Sequence, residues 1–384
     1  MSLILKNILI FFLLTSYSFS KEIKIGMSAD FSGQISYLGN NMRIGILTYL
    51  NKINKTSKYK YKLISYDDKY NPLQASLNVR KLIEKDKVIA LLGNVGTPTA
   101  NVVLPIINEH KILFFGAYSG GNVLREINEN SYVFNYRTSY SNEAYSIVLN
   151  LIRQGLKPSE IAIFTQNDTY GDSGYSGVIK AYRELGITNL NKIAHARYTK
   201  DTLNIESGLS KLLDFDVDFK AIVMVSVDKP FVKFINFAKE DFPDVKFFSL
   251  SPLNSAQLIK NKIRFSKDIF ITQVVPMLDN NLAIINEYKN DLKESFPDIE
   301  KNLISFEGYI VAKLFVQSLN GLDLNSLDSQ SIIKELYKFK NIDIGLGFSN
   351  TFDKRTHQYS NKVWLTTIKD ENLKEVKWNE IFKE

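Results

Sequence analysis

From Ile23 onward the sequence alternates short apolar runs with stretches of helical spacing, and this alternation occurs twice. Ile23-Lys24-Ile25-Gly26-Met27 reads as a strand, and Met42 to Ile53 sets Ile44, Leu47 and Leu50 on one helical stripe. Strand-like Tyr61 to Tyr66 ends at Asp67-Asp68, and Pro72 suits the first turn of a helix carrying Leu73, Leu77, Val79, Leu82 and Ile83. Val88 to Leu92 is uninterruptedly apolar, as expected of a strand buried on both faces. The loop Gly93 to Thr97 leads into a helix containing Pro105, and Ile112 to Phe115 is the next strand. The rhythm restarts with strand Ile161–Phe164, helix Gly174–Leu185, strand Ala221–Val225, helix Phe231–Phe242 and strand Val245–Leu250. Such a rhythm predicts an α/β fold, with parallel sheets covered by helices on both faces. No Pro/Gly/Ser-rich linker separates the two halves, and two lobes joined in this way often enclose a cleft.

Composition removes whole function classes. Hydrophobic residues at 45% and charged residues at 23% exclude disorder, collagen and coiled coil as the main account. With no cysteine there is no disulfide, thiol nucleophile or thiolate metal site. His110, His195 and His357 are never at metal-ligand spacing. The net charge of +7 is spread along the chain without a basic, aromatic-interleaved stretch, so nucleic acid is not an expected partner.

Residues 1–20 differ from the rest. Lys6 precedes the apolar run Ile8 to Leu14, and Ser18-Phe19-Ser20 places small residues at the −3 and −1 positions before Lys21. This is the layout of a secretory signal peptide cleaved near Ser20. The run is too short to span a bilayer, and no cysteine follows for a lipid anchor. The sequence therefore predicts an exported, soluble mature protein.

In parallel α/β sheets, ligands sit beyond the carboxyl ends of the strands. That rule selects the loops Ser28–Leu38, Gly93–Thr99, Gly116–Gly121, Gln166–Ser173, Ser226–Lys229 and Ser251–Ser255, all rich in Gly, Ser, Thr, Asn or Asp. Chemistry is harder to find. There is no phosphate loop, and no G-x-G-x-x-G follows the first strand. Gly171-Asp172-Ser173-Gly174-Tyr175 lacks the second glycine of a nucleophile elbow, so Ser173 reads as a hydrogen-bonding residue. Asp67-Asp68 reads as a strand end that caps the next turn, His195 as structural and His357 as solvated in a polar loop. No catalytic residues, no metal and no cofactor are expected; an enzyme is not predicted.

Several segments together resemble the type I periplasmic binding proteins, closest to the leucine/isoleucine/valine and amide binding branch that serves ABC importers. They are "EIKIGMSADFSGQISYLGNNMRIG", "YDDKYNPLQASLNVRKLIEKDKVIALLGNVGTPTA", "NDTYGDSGYSGVIKAYRELG", "ITQVVP" and "SFEGYIVAKLFVQSL". The likeness spans residues 22–370. It implies two Rossmann-like lobes, three crossovers near Arg137-Thr138, Thr272-Gln273 and Tyr359, and a ligand cleft closed by hinge motion. The N-terminal lobe would hold residues 22–138 and 273–358, and the C-terminal lobe residues 139–272 and 359–384.

The resemblance also implies site residues. Thr97, flanked by Pro98 and Thr99, matches the hydroxyl that binds a ligand carboxylate or amide. Ser119 and Gly121 match the next loop, and Tyr170 matches the aromatic that closes from the other lobe. The first-loop aromatic position falls on Leu38, with Tyr37 beside it, and Phe306 is a further apolar wall. Backbone N–H groups and helix N-termini can hold a carboxylate without a buried cation. The acid that pairs with a ligand ammonium in branched-chain amino-acid binders is missing from Ser251-Pro252-Leu253-Asn254, which leaves Asp228 one loop earlier. If Asp228 only caps its helix, the ligand is a neutral amide or another small solute. Glu307 could face the cleft but reads better as a helix-start carboxylate. The expected partners are a small solute and a membrane ABC permease, or else a sensor receptor or kinase using the same cleft.

Overall fold

The computed structural model describes residues 21–126, 131–190, 193–340, 342–352 and 354–382. The secretory layout of residues 1–20 lies outside them.

Two sheets carry the molecule. The first joins β1 (Glu22–Ala29), β2 (Lys60–Asp67), β3 (Ala90–Leu92), β4 (Leu113–Phe115) and β5 (Val133–Phe134) in the order β2-β1-β3-β4-β5. All its pairings are parallel. Between these strands run α1 (Ser36–Thr56), α2 (Pro72–Glu84) and α3 (Thr97–His110). The second sheet joins β6 (Ile161–Gln166), β7 (His195–Tyr198), β8 (Ala221–Val225), β9 (Lys246–Ser249), β10 (Ile269–Gln273), β11 (Trp364–Lys369) and β12 (Asn372–Glu375). Its order is β12-β11-β10-β9-β8-β6-β7, parallel from β7 to β10 and antiparallel at β11 and β12. Its helices are α4 (Tyr140–Arg153), α5 (Thr169–Glu184), α6 (Glu206–Leu213), α7 (Asp228–Asp241) and α8 (Ser255–Lys260). Then α9 (Ala283–Ser295), α10 (Leu303–Gln317) and α11 (Ser329–Lys338) return to pack on the first sheet.

Every residue of β6 and β8 is buried, as their unbroken apolar runs predict for central parallel strands. Each sheet reverses its order once, at β1/β3 and at β6/β8. These are the switch points at which α/β sheets open a crevice. The lobes also share a helix pairing. A Cβ on Gly45 of α1 would collide with the Ser305 carbonyl of α10, and one on Gly177 of α5 with the Ser141 carbonyl of α4. Glycine lets each pair approach to backbone contact.

Three chain segments connect the lobes. One follows β5, one follows β10, and one runs from 357 into β11. The first and third lie side by side: Asn135 N donates to His357 O at 2.7 Å, and Tyr359 N to Asn135 O at 2.9 Å. Gln273 pairs with Trp364 and so belongs to the second sheet, one residue beyond the expected boundary.

His357 is not solvated as its polar neighbourhood predicts. It is buried, stacks on Phe134 with ring centroids 4.2 Å apart, and sets Nδ1 2.9 Å from Val133 O. The crossover needs a flat polar ring there, and local composition does not reveal a contact made to a strand so far back in the sequence. His195 is structural: it opens β7, stacks on Tyr175 and shares a 2.9 Å hydrogen bond with Thr165. Burial and the neighbouring Arg197 lower its pKa to about 4.

Candidate functional site

The loops beyond the strand ends of both sheets meet between the lobes. The first is tied down by Asp67 and Asp68. Asp67 accepts from Phe31 N at 2.8 Å and from Ser32 Oγ at 2.6 Å. Asp68 accepts from Ser28 Oγ at 2.7 Å and from Tyr70 N at 2.9 Å. The pair organises backbone, as its position at a strand end predicts. Tyr70 is thereby held buried, and Lys200 of the second lobe sits 4.3 Å from its ring centroid.

Thr97 begins α3 directly after Gly96, with Pro98 in the first turn. Its hydroxyl shares a 2.8 Å hydrogen bond with that of Ser119, and both side chains are buried. Gly121 N donates to Ser119 Oγ at 3.1 Å, and a Cβ on Gly121 would strike Thr97 Cγ2. The loops after β3 and β4 are thus locked into one surface of hydroxyls and backbone. Thr99 turns inward and bonds Val95 O.

Tyr170 comes from the second lobe. The sequence places this helix from Gly174; the structure starts α5 at Thr169, because Asp168 caps it by accepting from Tyr170 N and Gly171 N. Tyr170 is therefore fixed in a first helical turn. Its ring meets Tyr140 edge-on at 4.9 Å, and its buried hydroxyl has no hydrogen-bond partner. Thr169 Oγ1 and Ser226 Oγ, also second-lobe groups, are likewise buried and unpaired. Ser173 donates to Thr169 O and accepts from Asn122 N of the first lobe at 3.0 Å; it is a hydrogen-bonding serine that bridges the lobes.

Sequence reasoning missed the charged centre of this region. Arg137, on the first crossover, is fully buried and stacks over Tyr118 at 4.1 Å. Its Nε lies 3.4 Å from Glu307 Oε1, and its Nη2 donates to Ser251 Oγ. Neither Nε nor Nη1 has a hydrogen-bond acceptor. Ser251 is fixed from its other side by Glu143, which accepts from Ser251 N at 2.9 Å and from Thr272 Oγ1. Glu307 is not a helix-start carboxylate: Asn302 caps α10, and Glu307 is buried against Arg137 in the second turn. Burial pushes its pKa up to about 7 against the pull of Arg137. Arg125 completes the arrangement. It donates to Ser119 O and Gly121 O at 3.0 Å, to Arg137 O at 2.8 Å and to Gln358 Oε1 at 2.9 Å. The loop that carries Ser119 is thereby bolted to two crossovers.

The remaining predicted residues divide. Asp228 begins α7 without capping it; its Oδ1 accepts from Asn254 N at 2.8 Å. It lines an interlobe cavity of about 210 Å³ with Gln34 and Asp201, and burial raises its pKa to about 6. Tyr37 and Ser251 line a different, mostly aliphatic cavity of about 190 Å³. Leu38 and Phe306 are buried in the first-lobe core, Phe306 packed on Tyr288 at 5.2 Å. The structure thus brings Thr97, Ser119, Gly121 and Tyr170 toward one interlobe strip, with Asp228 beside a second cavity.

The arrangement offers hydroxyls, backbone N–H groups, a helix N-terminus and aromatic edges from two bodies. Among the described residues no group of side chains could hold a metal ion, and no helix is long and apolar enough to cross a membrane.

Comparison with known proteins agrees with the two-lobe fold. A family model described as periplasmic binding protein matches residues 22–372. A possible leucine/isoleucine/valine-binding protein from Rhodopirellula baltica is similar at 34% identity and a TM-score of 0.90, over 96% of this chain and 100% of that one. A branched-chain amino acid ABC transporter protein from Thermus thermophilus with bound valine shares the fold at 15% identity and a TM-score of 0.79, over 93% and 96%. A leucine binding protein from Thermotoga maritima does so at 17% identity and a TM-score of 0.77, over 92% and 98%. No curated protein matches. With two parallel-sheet lobes, three crossovers and a polar strip between them, the chain belongs to the periplasmic binding proteins of type I.

Proposed function

We propose that this chain is exported to the periplasm, captures an amino acid or amide by hinge closure, and delivers it to a membrane ABC permease without transforming it. The observation that carries the reading is the set of buried polar atoms near the lobe junction that have no hydrogen-bond partner: Tyr170 Oη, Thr169 Oγ1, Ser226 Oγ and Arg137 Nη1. A buried donor or acceptor without a partner costs about 1–3 kcal/mol, so a polar solute reaching such groups favours closure. The Thr97–Ser119 pair and the start of α3 suit a carboxylate or amide oxygen. Asp228 supplies a carboxylate for a ligand ammonium. The matching family is described as periplasmic binding protein, and the relative from Thermus thermophilus holds valine.

The test is a thermal-shift screen of refolded, ligand-stripped protein against amino acids, amides, urea and short organic acids. A ligand at 100 times its Kd stabilises the fold by about 2.7 kcal/mol, a readily visible shift. Thr97→Ala and Tyr170→Ala should each weaken the hit at least tenfold and leave the unliganded protein folded. Unchanged affinity in both variants overturns the site, and silence across the panel overturns the solute class.

A further inference from the structure

Two buried carboxylates approach Arg137 from opposite lobes. Glu307 stands on α10, which packs on the first sheet, and Glu143 stands on α4 of the second lobe. Their bonding is unequal. Glu143 accepts from Ser251 N at 2.9 Å, from Ser251 Oγ at 3.0 Å and from Thr272 Oγ1. Glu307 Oε1 accepts no hydrogen bond, although Arg137 Nε is only 3.4 Å away. Arg137 directs Nη2 to Ser251 Oγ instead, and its Nη1 has no acceptor. The backbone of Arg137 is tied to the first lobe. Arg125 donates to Arg137 O at 2.8 Å, and to Ser119 O and Gly121 O at 3.0 Å.

We propose that Arg137 is a two-position switch for the hinge: with the lobes together its guanidinium holds Ser251 of the second lobe, and with the lobes apart it turns to Glu307 of the first. Ser251 leaves with Glu143 as the lobes part, while Arg137 stays with Glu307. A hydrogen bond between two charged groups is about twice as strong as a neutral one. Ionised Glu307 therefore favours the open arrangement, and Ser251 the closed one. A proton on Glu307 removes the stronger of the two bonds and shifts the lobes toward closure. The groups facing Glu307 are Arg137, Arg125 and Glu143, with the phenols of Tyr118, Tyr136 and Tyr140. Burial among them brings its pKa to about 7, so this proton is exchanged near neutrality. The switch regulates the proposed capture site and rests on that reading for its purpose, but its motion needs no solute.

The chain has no cysteine, so Leu73→Cys on the exposed start of α2 and Asn204→Cys on the exposed approach to α6 place one fluorophore on each lobe. Single-molecule energy transfer then counts closed and open molecules of refolded, ligand-stripped protein with no solute present. At pH 8, Glu307→Gln should raise the closed-to-open ratio about tenfold, and Ser251→Ala should lower it about threefold. Asp228 also titrates between the lobes, so the pH series is run on Asp228→Asn protein. There the ratio should rise by up to about tenfold between pH 8 and pH 6, and adding Glu307→Gln should abolish the rise. The switch is overturned if Glu307→Gln and Ser251→Ala move the ratio in the same direction, or if either leaves it unchanged. It is also overturned if the pH response survives Glu307→Gln. Should Glu307→Gln fail to fold, the pH series decides alone, and a flat ratio overturns the switch. A solute hit in the thermal-shift screen beside an unresponsive ratio removes only the switch. A silent screen beside a responsive ratio removes only the capture reading.

Discussion

Arg137 is the residue on which the interlobe region turns. Its charge is fully buried and leans on Glu307, Ser251 and the Tyr118 ring. Removing one member of a buried ion pair strands the other and costs about 3–5 kcal/mol. Arg137→Met should therefore lower the denaturation free energy by that order, measured by urea unfolding. A loss below about 1 kcal/mol would mean the pair carries no net stability. Asp228 makes a separate prediction. With its pKa raised to about 6, it is ionised above that pH and neutral below it. An amine-bearing solute should bind more weakly as pH falls through about 6, and Asp228→Asn should flatten that profile in calorimetry. A neutral amide should show no such dependence. At this scale the sequence is uneven. Thr97, Ser119 and Tyr170 lie in loops that follow apolar runs, so strand-end logic selects those loops, and only the family resemblance singles out the residues. Arg137 and Arg125 do not stand out, because their partners are distant: Ser251 is 114 positions from Arg137 and Gln358 is 233 from Arg125. Nothing within a local window marks a charge as buried.

At the scale of elements, apolar periodicity locates strands and helices well but misplaces helix starts. The run from Asp168 to Ser173 holds a glycine and two acids and reads as loop, yet Asp168 caps it into α5. Gly171 belongs there because a Cβ would strike the Gln166 carbonyl at the end of β6. Close approach is also the reason for Gly45. Gly45→Ala would push α1 from α10, and overpacking of a tight contact costs about 1–3 kcal/mol. The melting temperature should fall accordingly, and Gly177→Ala should produce a like effect in the second lobe. A melting temperature unchanged by Gly45→Ala would show that the pair can separate freely.

At the scale of the molecule, the doubled rhythm makes the two-lobe α/β class legible, and the missing linker is explained by three crossovers instead of one. Which late segments return to which lobe is not a local property: α9 to α11 look like any other helices until their apolar faces find the first sheet. This interleaving sets an order of events. The first lobe begins at β1 but its core includes Ile310, Leu336 and Phe352, and the second lobe's sheet is finished only by β11 and β12. A ribosome reaches these pieces last. During synthesis neither lobe can close its core early, so the nascent chain stays pliable until its final segments emerge, the condition under which a polypeptide can still be threaded through a narrow channel.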